Sequence, residues 1–233
     1  MSYKSLPATF YYATSPIVTA FLRSYFSPML ASCTIKIHDP NSSLLIDNID
    51  KRLVEGSEGR SRPVIHTMYH QHLPFLIPFH GSYGNRTLLI QGDAYMTPIV
   101  SYVQSTGMVV VRGGGKSDPP VIETLKEVLD SGSSVVLAVD GPAGPCYGFK
   151  SGAVVLAQAS GCSIVHSYYR TTKGRNDESR WDKRLIPTYF DKIDVHVGRE
   201  RFVSQEDVIE DVVEEMESDW REVIQEWDKR GGG

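Results

Sequence analysis

Between residues 34 and 197 the chain repeats one pattern of polarity. A short apolar run rich in β-branched residues is followed by a longer segment with apolar positions every three or four residues. The short runs fall at 34–38, 64–68, 87–91, 108–112, 135–139, 164–168 and 193–197. Several are apolar at consecutive positions, which predicts strands buried on both faces of a sheet. Between them, 94–106 stops at Gly107 and 151–160 stops near Gly161. A further helix, opened by Asp118 and Pro119, sets Val121, Ile122, Leu125, Val128 and Leu129 on one face before Ser131 and Gly132 end it. The alternation predicts an α/β fold with a central, largely parallel mixed sheet flanked by helices.

The two ends of the chain read differently. Ile17/Val18, Phe21/Leu22, Tyr25/Phe26 and Met29/Leu30 recur at a spacing near four. This predicts an amphipathic helix over 16–30, with Ser15 as N-cap, Pro16 at its first position and Pro28 bending or ending it. Arg23 is the only charge between Lys4 and Lys36, so the stripe either packs on the domain or lies in a membrane interface. The uncharged stretch 5–22 contains Pro7, Ser15 and Pro16, and it falls short of the roughly 20 mostly apolar residues that a membrane span needs. No signal-peptide pattern is expected there. At the other end, Ser204 and Asp207 resemble a capping box that opens a helix over 204–229. Val208, Val212, Met216, Trp220, Val223 and Trp227 mark its apolar face, and Glu210, Glu214, Glu215 and Glu217 mark a face expected to be solvated. The expected organisation is an N-terminal helical segment over 1–32, an α/β domain over 33–230 and a disordered glycine tail at 231–233.

Composition narrows the class. With 233 residues, 41% of them hydrophobic, the chain can bury a full core. A net charge of −4 and a pI near 6.0 argue against a nucleic-acid partner, though not against binding one phosphate group. Cys33, Cys146 and Cys162 share no motif spacing, which fits a reducing compartment without a disulfide framework. A cytoplasmic location is therefore expected, with the N-terminal stripe allowing peripheral contact with the inner face of a membrane.

Four segments carry candidate chemistry. Each follows a predicted strand, where open α/β sheets place their ligands. The first contains His66, His70 and His72. Neutral imidazoles can ligate metal, but no neighbouring acid or cysteine completes a set, so no metal is expected. These histidines are either structural or include a catalytic base. His70 is favoured as the base because it lies just past the strand, at the head of the apolar segment 73–79. In the second segment, Asp93 either orients an imidazole, as the acid of a triad does, or caps the helix beginning at Ala94. The third runs from Arg112 through three glycines to Lys116 and Ser117. A Walker motif would need glycine at position 110, which is Val110. The turn could still hold a phosphate between Arg112 and Lys116, or be a flexible surface loop. In the fourth, Asp140 and Gly141 lead two Gly-Pro steps that end at Pro145 and define a stiff turn. Lys150 and Gly152 then open a helix whose N-terminus attracts anions.

Taken together, over about residues 30–200, these blocks resemble the lysophospholipid acyltransferase superfamily. Within it they are most similar to the bacterial DUF374 subgroup, related to lipid A and glycerolipid acyltransferases. The resemblance is carried by VDGPAGP followed by KSGAVVLAQASGCSIV, by TMYHQHLPF, by VVVRGGGKSD and by WDKRLIPTYF, in that family's spacing. It implies transfer of a fatty acyl group from acyl-CoA or acyl carrier protein to a lysophospholipid-like hydroxyl, with no cofactor and no covalent enzyme intermediate. It also implies roles for residues. His70 would be the general base, and Arg112 and Lys116 would hold a phosphate of the lipid acceptor. Asp140, Gly141 and Pro142 would shape the acceptor site, and Lys150 would contact phosphate. Two positions depart from the family. Its signature has an acid five residues after the histidine, whereas Phe75 follows His70, Ile77 follows His72 and Gln71 follows His66. Asp93 is the expected replacement. Ala143 stands where a basic residue is common. Two other readings share the fold: a non-catalytic lipid-binding or interaction protein, and a hydrolase using the same histidine. A serine nucleophile has no G-x-S-x-G elbow to sit on.

Overall fold

The computed structural model describes residues 6–38, 62–75, 86–113 and 121–230. Lys116, the cap at 118–119, the apolar segment beyond residue 75 and the terminal glycines lie outside the described residues.

Each of the seven expected runs is a strand: β1 (Thr34–His38), β2 (Ile65–Met68), β3 (Arg86–Ile90), β4 (Val109–Arg112), β5 (Ser134–Ala138), β6 (Ile164–Thr171) and β9 (Lys192–Val197). They form one sheet in the order β1-β9-β6-β2-β5-β3-β4. Strands β6, β2, β5, β3 and β4 run parallel, β9 is antiparallel to β6, and β1 is parallel to β9. A small antiparallel hairpin, β7 (Arg175–Asn176) with β8 (Leu185–Ile186), stands between β6 and β9 in sequence. Burial is deepest in the central strands. β2 is buried at every position, as are the first six residues of β6, whereas β1 at the edge is half exposed.

Side chains alternate across the sheet and supply two cores. Val64, Met68, Leu88, Val136 and Val165 face one layer; Ile65, Val135, Leu137, Val139 and Ile164 face the other. The first layer is covered by α1 (Ala8–Ser32) and α2 (Thr97–Ser105), which pack on each other. The second is covered by α3 (Val121–Asp130), α4 (Gly152–Ser160) and α5 (Ile209–Arg230). Leu125 and Leu129 of α3 lie four residues apart and are 1% exposed; burying each contributes about 1.5–3 kcal/mol. Helix α4 ends at Gly161, whose φ of 69° lets its N–H reach the Ala157 carbonyl at 2.8 Å.

Both terminal helices differ from their expected limits. Helix α1 begins at Ala8 and continues to Ser32, with Pro16 and Pro28 inside it. Pro16 costs one backbone hydrogen bond, but Tyr11 before it and Met29 after it are both buried, so packing holds the helix on either side. The Ser15 hydroxyl donates to the Tyr11 carbonyl at 2.6 Å instead of capping a new helix. Helix α5 begins at Ile209, not Ser204. The Ser204 N–H does meet the Asp207 carboxylate at 2.9 Å, but the carbonyls of Ser204 and Asp207 accept hydrogen bonds from the Gln158 side chain. Residues 204–207 therefore form a separate turn. The acidic face of α5 is also less free than expected. Glu215 pairs with Arg201 at 2.8 Å, and Glu217 accepts the Phe149 N–H at 3.3 Å. Among the described residues, no helix is long and apolar enough to cross a membrane.

Candidate active site at the ends of β2 and β5

Parallel strands end on the same side of a sheet, so the segments after β2, β5, β3 and β4 collect along one edge. Register sets which of them meet. Met68 is opposite Ala138 in the parallel β2–β5 pair, and the Val139 N–H donates to the Met68 carbonyl at 2.9 Å. Two residues past each partner, His70 and Asp140 arrive at the same height. One oxygen of Asp140, Oδ1, accepts from the backbone N–H of His70 at 2.9 Å and lies 2.7 Å from His70 Nδ1.

This contact fixes the chemistry of the ring. An ionised carboxylate only accepts, so Nδ1 carries a proton, and in the neutral ring Nε2 is the nitrogen with the free lone pair. The Asp140 side chain is fully buried, whereas the His70 side chain is 18% exposed. The imidazole is thus the part of the pair that a substrate can reach. Its neighbours in sequence are not equivalent to it. His72 is fully buried, and burial pushes its pKa down to about 3. His66 is held well below the usual histidine range by burial and by Arg86 beside it. His66 and His72 are structural, packed in the core near Arg86 and among Tyr69, Tyr168 and Tyr169. Among the described residues no three His, Cys, Asp or Glu side chains gather closely enough to hold a metal ion.

The turn after Asp140 folds back on itself. Gly141 and Gly144 have φ of 65° and 72°, the Gly144–Pro145 peptide is cis, and the Gly148 N–H donates to the Pro145 carbonyl. The Lys150 side chain crosses Gly141 so closely that an added Cβ would lie 2.7 Å from Nζ. Lys150 itself is exposed, with its ammonium beside the Asp140–Gly141 turn. Pro142 is exposed on the outer side of that turn.

Asp93 takes neither of its expected roles. It follows β3, and β5 separates β3 from β2, so it stands one strand further from the imidazole than Asp140 does. Its carboxylate accepts from the Gln91 side chain and makes no capping bond to the 3₁₀ turn Ala94–Met96. The carboxylate on the His70 ring belongs to Asp140. Arg112 closes β4 and reaches back over β3, donating through Nη2 to the carbonyls of Gly92 and Asp93 at 3.0 and 2.7 Å. Its Nε is buried without a hydrogen-bond partner and borders a cleft of about 550 Å³ between α1 and α2. The hydroxyls of Thr19 and Thr97 line the same cleft, and they too are buried without a partner.

The residues that sequence reasoning missed sit on the β7–β8 hairpin. The Trp181 ring lies 5.3 Å from the His70 ring, and Asp182 and Arg184 follow it, buried or half-buried beneath. The signal available for them was the WDKRLIPTYF block, which begins at Trp181.

No family model matches the chain, and no curated protein matches it in sequence. Among solved structures it is similar to the 1-acyl-sn-glycerophosphate (LPA) acyltransferase PlsC from Thermotoga maritima. The TM-score is 0.50 at 14% identity, over 91% of this chain and 81% of that one. At that identity the likeness is one of fold: a mostly parallel mixed sheet, flanking helices and an N-terminal helix, as the sequence pattern predicted.

Proposed function

We propose that the chain is an acyltransferase that moves a fatty acyl group from a thioester donor, acyl-CoA or acyl carrier protein, to the hydroxyl of a lysophospholipid-like acceptor. The single observation that carries this reading is the His70–Asp140 pair: an imidazole 18% exposed with a buried acid on Nδ1, at the end of parallel strands in an acyltransferase fold. Nε2 of His70 takes the proton of the acceptor hydroxyl as its oxygen attacks the thioester carbonyl. The tetrahedral intermediate collapses with loss of thiolate, and the imidazolium returns its proton to the sulfur. Asp140 stays ionised and stabilises the imidazolium, as the acid of a triad does. It also fills the place of the acid that the superfamily carries five residues after its histidine.

Support for the acceptor site comes from Arg112 and the α1–α2 cleft. Three unmet donors, Arg112 Nε with the Thr19 and Thr97 hydroxyls, suit an anionic oxygen group such as a phosphate. The membrane contact is supported by the outer face of α1, where Phe10, Ile17 and Phe21 are 42–72% exposed. Purified protein given labelled acyl-CoA or acyl carrier protein with a lysophospholipid panel, beside His70→Ala, tests the reading. Transfer that the substitution abolishes supports it. Lipid binding without turnover in the native chain, or release of free fatty acid alone, would overturn it.

A further inference from the structure

The β7–β8 hairpin reaches over the end of β2 and is fastened there on both sides of His70. Next to the histidine, the Gln71 amide donates to the Lys183 carbonyl at 3.1 Å, and its oxygen accepts the Tyr147 hydroxyl at 2.9 Å. Within the hairpin, the fully buried Asp182 carboxylate accepts from Arg180 Nε at 2.9 Å and from Arg184 Nη2 at 2.6 Å. Trp181 stands between these anchors. One side of the indole faces the His70 ring at a centroid distance of 5.3 Å. Its other contact is Gly144, where an added Cβ would lie 2.7 Å from Cε3 and 3.0 Å from Cζ3. The second glycine of the Gly-Pro turn therefore leaves the space that the indole occupies.

A lone hydrogen bond between Nδ1 and Asp140 fixes one point of the imidazole and leaves its plane free to swing. The Trp181 ring, tilted 56° to the imidazole, stands in the way of that swing. The geometry points to Trp181 as a positioning residue: seated in the gap at Gly144, its indole holds the His70 plane so that Nδ1 stays on Asp140 and Nε2 is presented to the acceptor hydroxyl. This rests on His70 acting as the general base of acyl transfer.

The experiment reads the His70 ring directly, in the full chain labelled with ¹⁵N-histidine, before any activity is measured. The native protein should show a downfield Nδ1–H resonance that exchanges slowly with water. Trp181→Ala should broaden it away, and Trp181→Phe, which keeps a flat ring, should retain it. Trp181→Leu keeps apolar volume without a flat face and should also lose it, so a failure of the alanine variant to fold leaves the question answerable. In acyl transfer, Trp181→Ala should lower kcat about ten- to a hundredfold at unchanged donor KM, the size expected for a misplaced reacting group. An unchanged Nδ1–H resonance in the folded alanine or leucine variant overturns the positioning role, whatever the activity. Resonance loss on substitution, in a protein whose native form transfers no acyl group, upholds the positioning role and sinks the acyltransferase reading alone.

Discussion

Two stretches of the same sheet edge handle their polar groups differently. At the ends of β2 and β5, Asp140 Oδ1 meets both the backbone N–H and the ring of His70, the hairpin and the Gly-Pro turn pack around them, and one atom, Asp140 Oδ2, stays buried without a partner. At the ends of β3 and β4 and beneath α1, Arg112 Nε and the Thr19 and Thr97 hydroxyls are all buried without a partner, on residues that line a cleft of about 550 Å³. A buried donor left unmet costs about 1–3 kcal/mol, so a protein that carries three around one space has a reason to do so. The first region is largely paired within the chain; the second leaves its donors to be met from outside, which is what the proposed acceptor site requires.

The largest expected effect comes from breaking the finished region. Asp140→Asn should lower the kcat of acyl transfer by about 10³–10⁴, the scale seen when the acid of a triad loses its charge. Asp93→Asn should stay within about threefold on the scale of an ordinary exposed substitution, and an equal loss in both would return the orienting role to Asp93. Next in size is the attachment of α1, which forms the roof of the cleft. Met29→Ala removes a fully buried side chain and should cost about 2–4 kcal/mol in urea unfolding. A value near zero would mean that α1 is only loosely held.

A third effect concerns the core histidines. Burial holds His72 near pKa 3, below its unfolded value of 6.5, so the unfolded chain binds the extra proton. The stability gained by keeping His72 neutral is fully present above about pH 6.5 and falls as pH drops from there toward 3, by about 1.4 kcal/mol per pH unit. His72→Phe should reduce that slope between pH 6 and 4 in denaturant titrations, while buried His66 and His166 keep part of it. The smallest effect concerns the outer face of α1. Ile17→Glu with Phe21→Glu should reduce liposome flotation about tenfold, since each removes an interfacial apolar side chain. Stability should hold within about 0.5 kcal/mol, as for exposed positions generally; unchanged flotation would clear this face of membrane contact.

The strand pattern was legible because burial on both faces favours apolar residues at consecutive positions, and β5 shows that signature in the chain itself, whereas β2 and β6 bury polar residues among their apolar ones. Helix limits were less legible. Ser15-Pro16 has the residues of a helix start, yet Tyr11 and Met29 bury on either side and carry the helix through the proline. His70 could be singled out by its place after a strand. Its acid could not, because Asp93 and Asp140 both follow strands and nothing local says which strand lies beside β2.

By itself, then, the sequence determined the α/β class, the strands and the imidazole at the end of β2, since periodicity and turn residues are local properties of the chain. The pairing of His70 with Asp140, 70 residues away, the seating of Trp181 against both His70 and Gly144, and the cleft under α1 were decided only by tertiary structure. The physical reason is strand order. Which segments become neighbours depends on how helices and strands pack into layers, and that sum of many weak contacts is written in no single stretch of residues.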